Sequence, residues 1–419
     1  MQTGDGWLVR LSPIGTIPLD AFRRLCVAAR QHGNGVVEVT SRGSIQVRGL
    51  SVASAPRFAA AIAALDIAAA DGTPVVTNAL AGLGADEVLD AAALAADLRR
   101  DVTRAALAAR LAPKVSIAID GGGAPNLDRI AADVRLGPAT IDGRAMLGIG
   151  VGGDGSTAAW LGHIAPAHGV TAAMRLLQVL AQRGRSARAR DVVAAEGAAP
   201  FRVALEGLMT AAHAGETGGA ELACQVRRNE RTTVPIGPHP LRDRSLACGV
   251  GLAFGHADAT TLERLADAAH SAGALGMRAA PGRALMIIGM AEAAGPAFAD
   301  AAAALGLIVG ADDPRRHVIA CAGAPICSSA HIAARAIAPI VSRIAAPQLN
   351  AARQIHISGC AKGCAHGGAA ALTVVGVPDG CALIANGSVR DTPYRTISAD
   401  ALPAAITQFV HRAREGDHG

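Results

Sequence analysis

Two stretches of this chain repeat each other at one fixed distance. Residues 7–67 match residues 247–307 at a constant offset of 240, so that Arg24 falls on Arg264, Leu25 on Leu265, Gly49 on Gly289, Pro56 on Pro296, Phe58 on Phe298 and Leu65 on Leu305. Matches held in a single ungapped register mean that the two copies share a fold, and the rest of the chain is arranged around that pair. In the first copy WLVRL alternates like a strand. Pro18 then opens a helix whose apolar positions Leu19, Phe22, Leu25, Cys26 and Ala29 keep helical spacing, and Gly33 is placed to end it. Two strands are expected at about 36–40 and 44–48, with a second helix from near Pro56. In the second copy Thr260 or Thr261 can cap the helix, Leu262, Leu265 and Ala269 line it, and Gly273 ends it. This β-α-β-β-α order is half of a ferredoxin-like layout. The segments between and after the copies, about 75–240 and 311–419, read as longer α/β stretches.

The copies differ in charge. Along TSRGSIQVRG, strand alternation puts Thr40, Arg42, Ser44, Gln46 and Arg48 on one face and Ile45 and Val47 on the other. The matching positions of the second copy are Ala280, Gly282, Ala284, Met286 and Ile288, apolar or without a side chain. A solvated strand surface would carry mixed polar residues in both copies. A cationic face in one copy alone reads instead as a wall of an anion site, with Arg42 and Arg48 as carboxylate partners. In LAPKVSIAIDGGG, Lys114, Ser116, Ala118 and Asp120 share a face, and DGGG is a tight turn with no phosphate-loop context. GIGVGGDG at 148–155 lies between two alternating runs and reads as a hairpin turn rather than a dinucleotide fingerprint.

Four of the eight cysteines are paired in spacing: Cys321 and Cys327 as C-x5-C, then Cys360 and Cys364 as C-x3-C. Each pair follows a short β-like run, HVIA or QIHIS, so the four thiols can meet at strand ends. Four convergent thiolates suit a [4Fe–4S] cluster, one per iron, and the small residues between them let backbone N–H groups approach the sulfurs. Structural zinc favours C-x2-4-C pairs and is the secondary reading. Disulfides are less favoured, since MQTGDGWLVR has no secretory pattern and a cytoplasmic chain keeps its thiols reduced. Cys26, Cys224, Cys248 and Cys381 lack paired spacing and read as small core residues.

Composition narrows the function. No apolar run reaches the roughly 18 residues a membrane helix needs, because Arg, Asp or Gly recurs too often, so a soluble cytoplasmic protein is expected with no membrane partner. The net charge of +5 comes with only 2% aromatic residues, and basic runs interleaved with aromatics are missing, which disfavours nucleic acid. An arginine-held polyanionic small molecule suits the charge better.

The repeat, the strands TSRGSIQVRG and LAPKVSIAID and the closing cysteine pairs together resemble the sirohaem-type nitrite and sulfite reductase family, over essentially the whole chain. The resemblance implies an α+β, pseudo-two-fold architecture: ferredoxin-like half-domains at 1–70 and 241–310, with α/β domains at 71–240 and 311–419, the last binding the [4Fe–4S] cluster through Cys321, Cys327, Cys360 and Cys364. It further implies that Arg42, Arg48, Lys114 and Arg283 face a carboxylate-rich tetrapyrrole; Gln46 shares the face of Arg42 and Arg48, and Lys362, between two of the cysteines, is placed either to tune cluster charge or to meet a substrate carboxylate. The chain departs from the reductases in reading S-G-C-A-K-G-C-A-H-G at 358–367 in place of G-C-P-N-x-C-G, in having Ser116 for a second strand lysine, and in reading Ala280-Pro281-Gly282-Arg283 in place of T-P-W-R. CAGAPIC, SGCAKGCAHG and NALAGLGADEVLD at 78–90 are similar instead to the corrin-pathway branch of the family. That branch takes precorrin-3A, O2 and NADH-derived electrons delivered by an electron-donating protein, and forms a C20-hydroxylated γ-lactone. It also implies a mononuclear non-haem iron, for which His356 and His366 are candidate ligands. A sirohaem-dependent nitrite or sulfite reductase, with sirohaem bound through Cys364, is the alternative.

Overall fold

The structure, a computed structural model, describes residues 2–209, 234–350 and 353–415. Cys224 lies outside the described residues. The first copy contributes β1 (Gln2–Thr3), β2 (Gly6–Leu11), β3 (Ile17–Pro18), β4 (Val36–Val39) and β5 (Ile45–Leu50), with helices Leu19–His32 and Ser54–Ala63. A larger unit follows: β6 (Val75–Thr77), β7 (Ile117–Ile119), β8 (Ala132–Ile141), β9 (Arg144–Gly153) and β10 (Ala159–Ile164), with helices Ala91–Arg104 and Gly169–Gln182 against its sheet. The second copy is β11 (Gly237–Pro240), β12 (Leu246–Gly251), β13 (His256–Asp258), β14 (Gly276–Ala280) and β15 (Ala284–Met290), with helices Ala259–Ser271 and Gly295–Ala304. The last unit holds β16 (Val318–Ala320), β17 (Ile355–Ser358), β18 (Ala370–Val377), β19 (Gly380–Gly387) and β20 (Arg395–Ile397), with helices Ala334–Ala345 and Leu402–Glu415.

The two copies are not separate bodies. Their sheets run β1-β2-β5-β4-β13 and β11-β12-β15-β14-β3, so each receives its last strand from the other copy. The exchanged strands obey the sequence offset, since Ile17–Pro18 plus 240 gives 257–258. Helices Leu19–His32 and Ala259–Ser271 pack together, and one hydrophobic core runs through both copies, from Phe22, Leu25 and Phe58 to Leu262, Leu265 and Phe298. Cys26 and Cys248 belong to that core and Cys381 to the core of the last unit.

The predicted elements of the copies form, with two corrections. No side chain caps helix Ala259–Ser271; Asp258 precedes it in extended backbone, and Thr260 and Thr261 fall in its first turn. TSRGSIQVRG is not one strand: β4 ends at Val39, and the Thr40 hydroxyl accepts from the N–H of Arg42 (3.3 Å) and of Ser44 (3.0 Å). A threonine side chain that captures following N–H groups diverts the chain into a turn, and Gly43 completes it at φ +78°. GIGVGGDG does lie in the β9–β10 hairpin, but β9 runs on to Gly153 and the turn starts at Asp154, whose carboxylate accepts from Ser156 and Thr157.

A second duplication underlies the first. In the sheet of β6–β10, β6, β7 and β8 are parallel and β8, β9 and β10 antiparallel; in the sheet of β16–β20, β16, β17 and β18 are parallel and β18, β19 and β20 antiparallel. The described residues therefore form one composite unit used twice. Among the described residues, no helix is long and apolar enough to cross a membrane.

Candidate functional site

Strands β16 and β17 are parallel neighbours, with Ala320 opposite Ile357, so both chains leave the sheet at the same edge. Cys321 directly follows β16 and Gly359-Cys360 directly follows β17. The Cys321 N–H donates to the Ile357 carbonyl (3.2 Å), while the Gly359 N–H donates to the Cys321 sulfur at 3.0 Å. The Cys327 N–H donates to the Gly323 carbonyl at 2.8 Å. Cys321, Cys327 and Cys360 are partly buried and Cys364 is exposed. Burial raises the Cys321 pKa, and the nearby thiolates of Cys364 and Cys360 raise it further against the Gly359 and Gly323 N–H groups. The protein packed about Cys364 raises its pKa, as do Cys360 and Cys327, while Arg48 and Lys362 oppose the rise.

The structure brings Cys321 and the Gly359-Cys360 turn together at one sheet edge, with Cys327 and Cys364 on the loops that leave it. Among the described residues, no three Cys, His, Asp or Glu side chains are gathered round a single-ion site. Thiols set on loops that leave one sheet edge, one of them accepting a backbone N–H, fit an iron–sulfur cluster.

The N-terminal hairpin covers this edge. Gly4 accepts from the N–H (2.9 Å) and hydroxyl (2.7 Å) of Ser328, and a Cβ on Gly4 would lie 2.5 Å from the Cys327 sulfur. Only a residue without a side chain lets the hairpin sit so close. Beside it, the carboxylate of Asp5 takes two bonds from Arg48, 2.8 Å from Nε and 2.7 Å from Nη2, and Glu38 lies 3.8 Å from Arg48 Nη1. Burial opposes charge on Arg48, but Asp5 and Glu38 outweigh it and raise its pKa. Glu38 also accepts from Arg335 of the last unit, and the Gln46 amide donates to Glu38 (3.1 Å) and accepts from Arg10 (2.8 and 2.6 Å). Strand alternation holds here, since Ile45 and Val47 enter the core while Gln46 and Arg48 turn to the opposite face. The expectation of an open anion wall does not: Gln46 and Arg48 are buried and engaged within the protein.

Turns of the two copies meet nearby. Arg42 bridges to Pro281, and the Gly282 N–H donates to the Ser41 carbonyl at 3.0 Å. From the second turn Arg283, at φ +65°, donates to the carbonyl of Ala365 (3.3 Å), next to Cys364; burial lowers its pKa to about 10. His356 and His366 stand edge to face with ring centres 5.5 Å apart. His356 is fully buried with both ring nitrogens lacking a hydrogen-bond partner, and burial, then His366 and Arg283, push its pKa down to about 3. The pair has no third donor among the described residues and faces a guanidinium, a combination that does not fit a mononuclear iron site.

Exposed cations lie at the other side of these turns. Arg42 is exposed and donates to the Ala131 carbonyl (3.0 Å). The protein around it lowers its pKa, as do Arg188 and Arg10, with Asp133 alone opposing. Arg188 is itself paired bidentately with Asp133 at 2.9 Å. Lys114 sits in the turn before β7 rather than on the strand, two residues ahead of Ser116, whose N–H Asp133 also holds (3.0 Å). Lys362 is exposed between Cys360 and Cys364, donating to Ser329 (3.0 Å). The sequence contains 39 Lys and Arg but only two lysines, these two. Arg10 and Arg188 were not anticipated; Arg10 had a signal in the polar phase of WLVRL, and Arg188 had none.

Comparison with known proteins places this geometry. Residues 1–65 match the model of the nitrite/sulfite reductase ferredoxin-like half domain. The chain is similar in fold to the NirA protein of Mycobacterium tuberculosis, with a TM-score of 0.75 at 22% identity, covering 96% of this chain and 80% of that one. It is 33% identical to a precorrin-3B synthase of Sinorhizobium sp over 417 residues, 99% of this chain and 87% of the relative. With duplicated half-domains, a cysteine-bearing sheet edge and that extent of shared sequence, the chain belongs to the precorrin-3B synthase family of enzymes, built on the nitrite/sulfite reductase fold.

Proposed function

We propose that the protein is an iron–sulfur monooxygenase that converts precorrin-3A to a C20-hydroxylated γ-lactone in aerobic corrin-ring synthesis. In such a reaction one atom of O2 enters the macrocycle and the other leaves as water, which takes two electrons and two protons. The observation that carries the reading is the sheet edge where Cys321, Cys327, Cys360 and Cys364 meet, adjoining the paired turns from which Arg42 stands exposed. A bound [4Fe–4S] cluster supplies single electrons, which originate from NADH and arrive through a donor protein. The protein's own part is to hold the substrate and order the electron path. Arg42, Lys114 and Lys362, all exposed, bind acetate and propionate arms; each charge-assisted pair is worth about 1.5–3 kcal/mol where the bound macrocycle buries it. Arg283 braces the loop beyond Cys364 from beneath. The mononuclear iron implied by the family has no donor set among the described residues, and the reading does not depend on it.

Anaerobic purification followed by visible and EPR spectra, with and without precorrin-3A, tests the proposal. The expected protein is brown, carries labile sulfide and shows no tetrapyrrole bands until substrate is added. Arg42→Ala should weaken precorrin-3A binding about tenfold or more while leaving iron and sulfide unchanged. A preparation that always carries sirohaem would make the protein a nitrite or sulfite reductase instead.

A further inference from the structure

The second duplication supplies an internal control for the ion pair beside the cysteines. The hairpin at Gly4 and the hairpin at Pro240 seat themselves alike: Ser328 N–H donates to Gly4 O (2.9 Å) on one side, and Ala85 N–H donates to Pro240 O (3.3 Å) on the other. Strands β6 and β16 correspond at an offset of 243 (Val75 and Val318), which puts Ala85 on Ser328. Pro240 then stands for Gly4 and Leu241 for Asp5. Across the 240 offset Ile288 stands for Arg48 and Arg278 for Glu38. Leu241 and Ile288 are both members of one apolar cluster. In the half that has no cysteines an apolar cluster thus takes the place of the bidentate pair, and the ion pair at that hairpin, Arg242 with Glu87 (3.3 Å), is made by other residues.

Seating a hairpin does not require an ion pair at the places of Asp5 and Arg48, since a buried ion pair is commonly no more stabilising than apolar side chains of similar volume. The charge has another reason to be there. We propose that Arg48 is a positioning residue for the cluster, its guanidinium held by Asp5 and Glu38 so that fixed positive charge faces the thiolates, and that it is not a substrate carboxylate clamp. Nε and Nη2 are both taken by Asp5, the side chain is 9% exposed, and Asp5 directly follows the glycine that touches Cys327. Arg48 also lies near enough to Cys364 for the two charges to act on each other. A reduced cluster carries one more negative charge than an oxidised one, so fixed positive charge favours reduction and fixed negative charge opposes it.

This inference rests on the cysteines holding a cluster, and the test separates the two claims. Iron, labile sulfide, the cluster midpoint potential by EPR-monitored titration, precorrin-3A affinity and melting temperature are measured on the anaerobically purified parent, on Arg48→Gln, Arg48→Lys and Asp5→Asn, and on the double variant Asp5→Leu with Arg48→Ile. Arg48→Gln should lower the potential and Asp5→Asn should raise it, while Arg48→Lys, which keeps the charge but not the fork, stays near the parent. The double variant, which puts the apolar residues of the other half at these two places, should melt no lower than the parent. Shifts of one sign in both single variants, or no shift, overturn the inference, as does a double variant that melts well below the parent. Arg48→Gln that loses substrate affinity at an unchanged potential makes Arg48 a clamp and overturns it too. A parent without labile sulfide overturns the cluster reading and this inference with it.

Discussion

Gly323 lies between the first two cysteines, and replacing it with alanine should disable the cluster without touching a thiol. Its φ is +68°, a conformation that costs an L-residue about 1–2 kcal/mol. A Cβ there would also fall 2.3 Å from the backbone nitrogen of Ala334 and 3.0 Å from its Cβ, where ordinary contact begins near 3.4 Å. Ala334 starts the helix Ala334–Ala345 and is fully buried, so the loop must give way rather than the helix. Overpacking of this kind costs about 1–3 kcal/mol more, for a total of about 2–5 kcal/mol. The loop that moves carries the Gly323 carbonyl that holds the Cys327 N–H, so the correctly closed form should lose between one and four powers of ten in relative population. Iron and acid-labile sulfide per chain, and the rate of bleaching by a chelator in air, read this directly. Gly367→Ala is the control, because its Cβ would meet nothing within 4 Å and its backbone is not left-handed. Equal cluster content and bleaching in the two variants would refute the reasoning.

Serine at any one of Cys321, Cys327, Cys360 or Cys364 should lower both iron and sulfide, whereas Cys248→Ala, in the shared apolar core, should change melting temperature but not the iron-to-protein ratio. His356 is buried and its folded pKa is depressed, so it contributes stability above its unfolded pKa near 6.5 that is lost as pH falls toward about 3. Denaturant unfolding at stepped pH should therefore show a loss of up to about 1.4 kcal/mol per pH unit across that window, and His356→Leu should flatten it. A slope unchanged by the substitution would assign the acid sensitivity to another group.

The first duplication is legible because both copies keep their element lengths, so one offset of 240 carries Ile17–Pro18 to 257–258 and Phe58 to Phe298. The second is hidden. Its strands correspond at 243 for Val75 and Val318, 238 for Ile117 and Ile355, and 236 for Ala159 and Arg395, and loops of unequal length between them break any ungapped comparison. The cysteine edge could be read because metal ligands carry their own spacing. The basic face could be read only in part. Alternation correctly turned Gln46 and Arg48 away from the core, but alternation is local, and the partner that closes Arg48 stands 43 residues away in a turn of no distinctive composition. Lys114 fails for a different reason: its phase was counted along a strand that starts three residues later, at Ile117.

The counterpart of the cysteine edge suggests a structural role for the proposed cluster. At offset 243 Asn78 stands for Cys321, and at offset 238 Gly121 stands for Gly359. The Gly121 N–H donates to Asn78 Oδ1 at 2.6 Å, as the Gly359 N–H donates to the Cys321 sulfur at 3.0 Å. From there the halves diverge. The Asn78 amide donates to Asp120 (3.0 Å) and to the Pro125 carbonyl (3.0 Å), and Asp120 accepts from the Gly122 and Leu127 N–H groups, so a buried amide and carboxylate tie the two loops together. In the cysteine half the bond between Gly359 and Cys321 stands where that network begins, and the remaining cysteines stand where the other half has Gly84, Gly122 and Asn126. Buried loops of this kind have to be cross-linked by something, because their backbone groups leave water at a cost of about 1–3 kcal/mol for each one unpaired. One half meets that need with an asparagine. In the other, four thiols hold the same place, so the cluster proposed for them would be a structural cross-link of its domain as well as a source of electrons.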